Sequence, residues 1–443
     1  MDLIEQEQER HSGFTHFFHN QTASGVILLL VSGFAFYLAN SDFWGYYNHI
    51  SHTNLSVEIG DWHFGLDINH WVNEGLMVLF FFLVGLEIKR EILVGELSNP
   101  RKAALPVIAA IGGMIIPALI YSLFNVFSPE TRGGWGVPMA TDIAFVIAVL
   151  SVLGKRVPIS LKVFLTCLAI VDDLGAILVI AIFYTEQFHL DALLLSMIFV
   201  MASAVYGKFN GGSGFVYALL CIGCWYFMLE SGIHSTIAGV LMAMTIPIKR
   251  RYSVEKINKE FKASFSEADY DLREHHLDAL ERVIKHAESP LSRFEHLLHP
   301  WVGFLIMPLF AFFNAGVHLP THLNASLIFE PHALGIFMGL LMGKPIGVLL
   351  ACRFAVSRGW ASLPTGVGWR TMIGVSYLAG LGFTMSLFIS VLAFEPGTNT
   401  LEESKLAILA ASICAMLIGA PLTWWGLRPK PASSLNPPSP LPS

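Results

Sequence analysis

Long apolar runs separated by short polar connectors organise most of this chain. A helix needs about 20 mostly apolar residues to cross the hydrocarbon of a bilayer. Twelve stretches meet or approach that length: 23–40, 71–92, 104–124, 135–153, 158–184, 190–206, 215–229, 232–247, 297–317, 332–353, 371–393 and 405–426. The seventh and eighth are short and are split by Glu230-Ser231-Gly232. The pattern predicts an all-α polytopic membrane protein with twelve transmembrane helices.

Three polar segments interrupt it. Residues 55–70 alternate apolar and polar positions around Gly60-Asp61, which predicts a small external β-hairpin. The block 250–295 spaces Val254, Ile257, Phe261 and Phe265, then Leu277, Leu280, Val283 and Ile284, as amphipathic helices do. The tail 428–443 is rich in Pro and Ser and reads as disordered.

Composition agrees with lipid as the solvent. Only 14% of the residues are charged, against roughly 25% in soluble proteins. The acidic start MDLIEQEQER does not resemble a signal peptide, so the first run is expected to remain as a span. With the amino terminus in the cytoplasm, only Arg132 and Lys405 of the 27 basic residues fall outside, and Lys344 falls within a span. Excluding the ten in the long loop leaves a bias of 14 to 2, as the positive-inside rule requires. Merging segments seven and eight would destroy that agreement. All five cysteines lie in apolar runs, including the Cys221–Cys224 CxxC, and read as packing residues.

Ionisable residues deep in the membrane are costly and therefore mark function. Four stand out: Asp142, Asp172, Asp173 and Lys344. At about 1.5 Å per residue, Asp172 lies roughly 21 Å from the inner end of its span and Lys344 roughly 18 Å from the outer end of its own. They share the level of the midplane. Asp142, counted as helical from Trp135, would lie roughly 10 Å from the outer face. A plain internal ion pair between one Asp and Lys344 would leave two carboxylates unexplained. Hard cations prefer oxygen ligands, and a desolvated ion needs negative charge in place of water. Burial and mutual repulsion also disfavour two adjacent charged carboxylates, so protons compete for the same place.

Backbone irregularity points the same way. Gly133, Gly134, Gly136 and Pro138 precede Thr141-Asp142 in span four, and Gly380-Leu381-Gly382-Phe383-Thr384 interrupts span eleven. These spans sit second in the oppositely oriented triplets 3–5 and 10–12. Paired interrupted segments of this kind indicate a transporter site between inverted repeats.

Nine motifs in order resemble the NhaA family of sodium/proton antiporters: FFFLVGLEIKRE (80–91), PVIAAIGGMIIPA (106–118), ATDIAF (140–145), LAIVDDLGAI (168–177), SGIHSTIAG (231–239), EHLLHPW (295–301), LFAFFNAGV (309–317), GKPIG (343–347) and GLGFTMSLFI (380–389). The resemblance implies core repeats at 104–184 and 332–427, with spans four and eleven broken and crossing. It implies an interface domain from 1–103 and 185–331, the latter including the cytoplasmic loop 249–295. Asp173 would be the main sodium ligand, and Asp172 a proton carrier, cation ligand and partner of Lys344. Asp142 and Lys344 would offset opposed helix ends, and Thr141 would support the site. Control by pH would involve Glu87, Arg90, Glu91, Glu295, His296 and His299 on the cytoplasmic side, and His234 elsewhere. The family further implies electrogenic exchange of Na+ or Li+ for H+, homodimers through the external hairpin, and a bacterial inner-membrane location with both termini cytoplasmic. No cofactor and no nucleic-acid partner is implied.

Two other functional classes fit the sequence less well. A cation-coupled symporter would need a pocket for an organic solute, for which the deep polar set offers little. An intramembrane aspartyl protease needs facing carboxylates, whereas Asp172 and Asp173 point about 100° apart on one helix; Asp142 with Asp172 is the remaining dyad. No HExxH and no GxxxxGK[ST] occurs, so zinc proteolysis and ATP-driven pumping are not indicated.

Overall fold

The computed structural model describes residues 23–60, 62–185, 188–209, 213–248, 289–319 and 330–427. The expected amphipathic helices of the long loop, up to residue 288, and the tail 428–443 lie outside them. Apart from one hairpin, the regular structure described is helical. Among the described residues, six helices are long and apolar enough to cross a membrane, or up to nine if each bent pair is one span.

The chain opens with α1 (Ala23–Ala39) and α2 (Trp44–Ser51), bent by 114°. Strands β1 (Asn54–Ile59) and β2 (Trp62–Asp67) then pair antiparallel, from Asn54↔Asp67 to Ile59↔Trp62. Gly60 supplies the left-handed turn with φ of 62°. Asp67 ends the hairpin by accepting the His70 backbone N–H at 2.7 Å. Partial burial pushes its carboxyl up, but the hydrogen bonds from His70 and His52 outweigh this and hold it below its ordinary value. A wide π-type turn, Trp71–Leu76, leads into α3 (Met77–Leu93).

Next come α4 (Pro100–Phe124), a tight 3₁₀ stretch Pro129–Met139, α5 (Ile143–Val152) and α6 (Ile159–Phe183). Asn99 accepts the Arg101 N–H and Pro100 occupies the first turn, so the sequence itself starts α4. The 3₁₀ stretch and α5 form a bent pair at 44°. An α-helical count does not apply to Asp142, because Pro129–Met139 is a 3₁₀ stretch and Ala140 is extended, so the chain from Trp135 is longer than an α-helical rise gives.

The following helices are α7 (Leu190–Lys208), α8 (Gly214–Glu230) and α9 (Thr236–Thr245). The eighth apolar run becomes helical only at Thr236, because 231–235 turns to bring Ser235 and His234 onto Glu74. Beyond the loop, α10 (Pro290–Trp301) and α11 (Met307–Asn314) are joined through a π-type turn into one 25-residue span.

The last group is α12 (Pro331–Met338), α13 (Lys344–Ser357), α14 (Trp369–Ala379), α15 (Phe383–Ala393) and α16 (Asn399–Gly426). A π-type turn at Gly339–Gly343 joins α12 to α13 and delivers Lys344. Helices α14 and α15 are the second bent pair at the site, at 41°.

Close packing of α4 on α13 fixes the level of Lys344. A Cβ on Gly112 would lie 2.5 Å from the Gly347 carbonyl oxygen, and one on Gly343 would lie 2.9 Å from Pro117 Cα. Small residues four apart, Gly343 and Gly347, let two membrane helices touch along their backbones. Gly112→Val should therefore separate the pair and lower the thermal unfolding midpoint in detergent by several degrees, whereas Gly368→Ala, in the loop before α14 where a Cβ meets open space, should cost less. Equal small effects would show that this contact is unimportant.

Candidate functional site

Two helix breaks cross in the interior of the protein. The Asp142 backbone N–H donates to the Leu381 carbonyl at 2.6 Å, tying one break to the other. Helix α5 starts after Asp142 and α15 after Gly382. Asp142 Oδ1 accepts the Phe145 N–H at 3.0 Å. Its Oδ2 accepts the Thr384 N–H at 3.1 Å and the Thr384 hydroxyl at 2.5 Å. One carboxylate thus caps two N-termini and opposes the partial positive charge of both.

The C-terminal ends of the opposing halves present carbonyls instead. Lys344 Nζ donates to the Met139 carbonyl, and Ser386 Oγ donates to Val137 at 2.8 Å. Thr141 Oγ1 lies 2.8 Å from the Ala379 carbonyl and 2.8 Å from Asp172 Oδ2. A hydroxyl has one hydrogen to give, so the charge on Asp172 decides which acceptor receives it. The wide turn before Lys344 is packed at this level too: a Cβ on Gly380 would lie 2.5 Å from the Leu340 carbonyl oxygen.

Asp172 and Asp173 come from the middle of α6, where neighbouring positions diverge by about 100°. Asp172 faces Lys344, with Nζ 2.8 Å from Oδ2, and both side chains are fully buried. Asp173, 3% exposed, faces the other way into a cavity of about 150 Å³. Asp142 and Thr384 line the same cavity. The Oδ1 atoms of Asp172 and Asp173 are both buried and make no hydrogen bond within the protein. A buried oxygen with unspent accepting capacity suits a proton or a hard cation. Among the described residues, no set of three or more His, Cys, Asp or Glu side chains is arranged to hold a metal. The oxygen donors here are two carboxylates, a third that is already a cap, and hydroxyls. The Asp142–Asp172 pairing that a protease would need is absent in function, since each is committed to other partners.

From Asp173 the cavity runs to Glu87, Arg90, Glu91, Glu96 and His299. There Arg90 bridges two acids, with Nη1 2.7 Å from Glu295 Oε1 and Nη2 3.2 Å from Glu91 Oε1. Glu91 Oε2 in turn accepts the Glu96 N–H at 3.0 Å. Helix α3 supplies Glu87, Arg90 and Glu91, and α10 supplies Glu295 and His299. His296 is on α10 but exposed. His234 stands apart. Its Nε2 lies 2.7 Å from the Tyr184 carbonyl oxygen and its Nδ1 3.6 Å from Glu74 Oε1. Glu74 precedes Glu87 by 13 residues, roughly 20 Å along a helix.

Two residues of this machinery were not singled out from the sequence. Thr384 was seen only as part of the interrupted motif; a hydroxyl two residues after Gly382, opposite an acid in the paired break, was the available signal. The other is Glu74, an acid near the start of the second apolar run, for which neither its position nor its partner Ser235 carries a signal.

Comparison with known proteins accounts for nearly the whole chain. The sequence profile of the family described as Na+/H+ antiporter 1 matches residues 15–422. A Na(+)/H(+) antiporter NhaA of Sulfurimonas denitrificans is 44% identical over 416 residues, covering 92% of this chain and 94% of that protein. One from Oleidesulfovibrio alaskensis is 45% identical over 413 residues, covering 91% of each. Another, from Koribacter versatilis, is 43% identical over 425 residues, covering 93% and 91%.

The double cap makes a graded stability prediction. Asp142→Ala strands donors at both helix starts and should cost about 2–4 kcal/mol. Thr384→Val removes one hydroxyl donor and should cost about 1 kcal/mol. Thermal unfolding in detergent reads the order; an Asp142→Ala protein as stable as the Thr384→Val protein would remove the capping role.

Proposed function

The chain belongs to the Na+/H+ antiporter 1 family, a family of multi-pass membrane transporters and not of enzymes, and we propose that it exchanges sodium for protons at Asp173 and Asp172. The observation that carries this reading is the division of labour between the two carboxylates. Asp173 opens onto the cavity, and Asp172 is held by Lys344 and Thr141 behind it.

The geometry supports the following cycle. Sodium arriving through the cavity meets Asp173 first, with unspent oxygen on Asp172 beside it. Recruiting Asp172 to the ion weakens its pair with Lys344, because the carboxylate charge is then shared between two cations. Protons arriving from the other side neutralise the carboxylates and displace the ion. Two carboxylates can take up more protons than the one sodium ion they hold, so each cycle moves net charge and exchange is electrogenic. Lithium, a similar hard monovalent cation, is carried at the same oxygens. No cofactor takes part.

Alternating access needs the site to switch sides without losing its oxygen set. The crossing gives it a rigid frame: 104–184 and 332–427 form a core of two inverted repeats, spans 3–5 and 10–12, moving against an interface domain of 1–103 and 185–331. In this reading twelve spans place both termini in the cytoplasm of a bacterial inner membrane. The hairpin β1–β2 projects outside and joins two copies into a homodimer. The acids bridged by Arg90, with Glu87, His296 and His299, guard the cytoplasmic mouth of the cavity and set the pH at which exchange turns on. His234, bound between Glu74 and Tyr184, adjusts that response from the opposite end of the span.

Inside-out vesicles with an imposed proton gradient test the assignment. Sodium or lithium should collapse the gradient with the unaltered protein and should fail to do so with Asp173→Asn. Normal exchange by the purified variant would overturn it.

A further inference from the structure

The cytoplasmic rim of the core, in the orientation proposed above, is one-sided in charge. Residues 143–171, 344–394 and 406–427 contain no Asp or Glu. They nevertheless carry Arg156, Arg353, Arg358 and Arg370, all exposed. The rim near α3 differs, since there Arg90 and Lys102 pair with Glu91, Glu295 and Glu96.

Each of the four arginines lies over an aromatic ring. The guanidinium carbon of Arg156 is 5.5 Å from the Trp424 ring centre, and that of Arg370 is 5.4 Å from Trp425. Arg353 stands 5.7 Å from Trp369, and Arg358 5.1 Å from Phe354. Phe354 in turn meets Trp360 edge-on at 5.4 Å. Chain neighbours link these pairs into a belt: Trp424 is next to Trp425, Trp369 to Arg370, and Arg353 to Phe354. Three of its aromatics remain well exposed, Trp360 at 57%, Trp425 at 53% and Phe354 at 45%.

We infer that this belt binds the headgroups of anionic phospholipids in the facing leaflet. Stacking on a ring covers one face of a guanidinium and holds its plane. The N–H edge is left free to fork onto a phosphate. Exposed tryptophans at the end of a span sit at headgroup depth, which puts the arginine edges where phosphates are. With no carboxylate in these segments to compete, the charge is available to lipid. A soluble acidic partner would not need the exposed indoles, and an apolar one would not need the arginines. The bound lipid would anchor the ends of α13, α14 and α16, the helices next to the crossing, to one leaflet.

Thermal unfolding in a neutral detergent, titrated with phosphatidylglycerol, tests this without reference to sodium exchange. The unaltered protein should be stabilised saturably by phosphatidylglycerol, and neither phosphatidylcholine nor inorganic phosphate should reproduce it. Arg353→Gln with Arg370→Gln should leave the lipid-free midpoint in place and demand about tenfold more phosphatidylglycerol for half the shift. The matching Lys pair, which keeps charge but not the planar fork, should fall between the two. Identical titrations for the unaltered and Gln proteins would overturn the inference, as would an equal shift from phosphatidylcholine or from phosphate alone. Loss of sodium exchange in an otherwise lipid-responsive protein would count against the transport reading only.

Discussion

A break in a membrane helix strands backbone N–H and C=O groups where no water can satisfy them, and the rest of this structure depends on how two such breaks satisfy each other. The N–H ends of α5 and α15 share one carboxylate, Asp142. The carbonyl ends are met by Lys344, Thr141 and Ser386. Every one of these side chains would be expensive alone in a membrane. Together they cancel, and both breaks are satisfied inside the protein.

That cancellation leaves one carboxylate over. Asp142 is used by the N-termini and Asp172 by Lys344, so Asp173 is the acid that faces the cavity with capacity to spare. Thr141 connects the two functions, because its single hydrogen is claimed both by Asp172 and by the Ala379 carbonyl of the second break. A change in the charge of Asp172 is therefore felt by the backbone of the crossing. In the proposed exchange this links site occupancy to the conformational step, through a physical contact and not merely through proximity.

Much of this was legible in the chain. Long apolar runs are unambiguous because only a membrane rewards them, and Asp172, Asp173 and Lys344 stand out because insertion penalises each. Glycine and proline marked both breaks for the same reason. Thr384 did not stand out, since hydroxyl residues are common in membrane helices and cost little there. The local path to Asp142 is not legible in the chain, because Pro129–Met139 is wound as 3₁₀ helix and Ala140 is extended. The late start of α9 was hidden as well: Ser231 to Ser235 are small and mild enough to pass for helix, and only the buried Glu74 explains their turn. The Glu87–Arg90–Glu91 and Glu295 residues were separately visible, but their meeting across α3 and α10 is a tertiary fact that spacing along one helix cannot reveal.

The proposed exchange requires sodium and protons to compete for Asp173. Calorimetric titration of the detergent-solubilised protein with sodium, repeated in buffers of different ionisation heat, counts the protons released on binding. Competition for Asp173 requires proton release with every sodium bound, an affinity that weakens as pH falls, and loss of both with Asp173→Asn. Sodium binding that releases no protons and keeps its affinity across pH would contradict it.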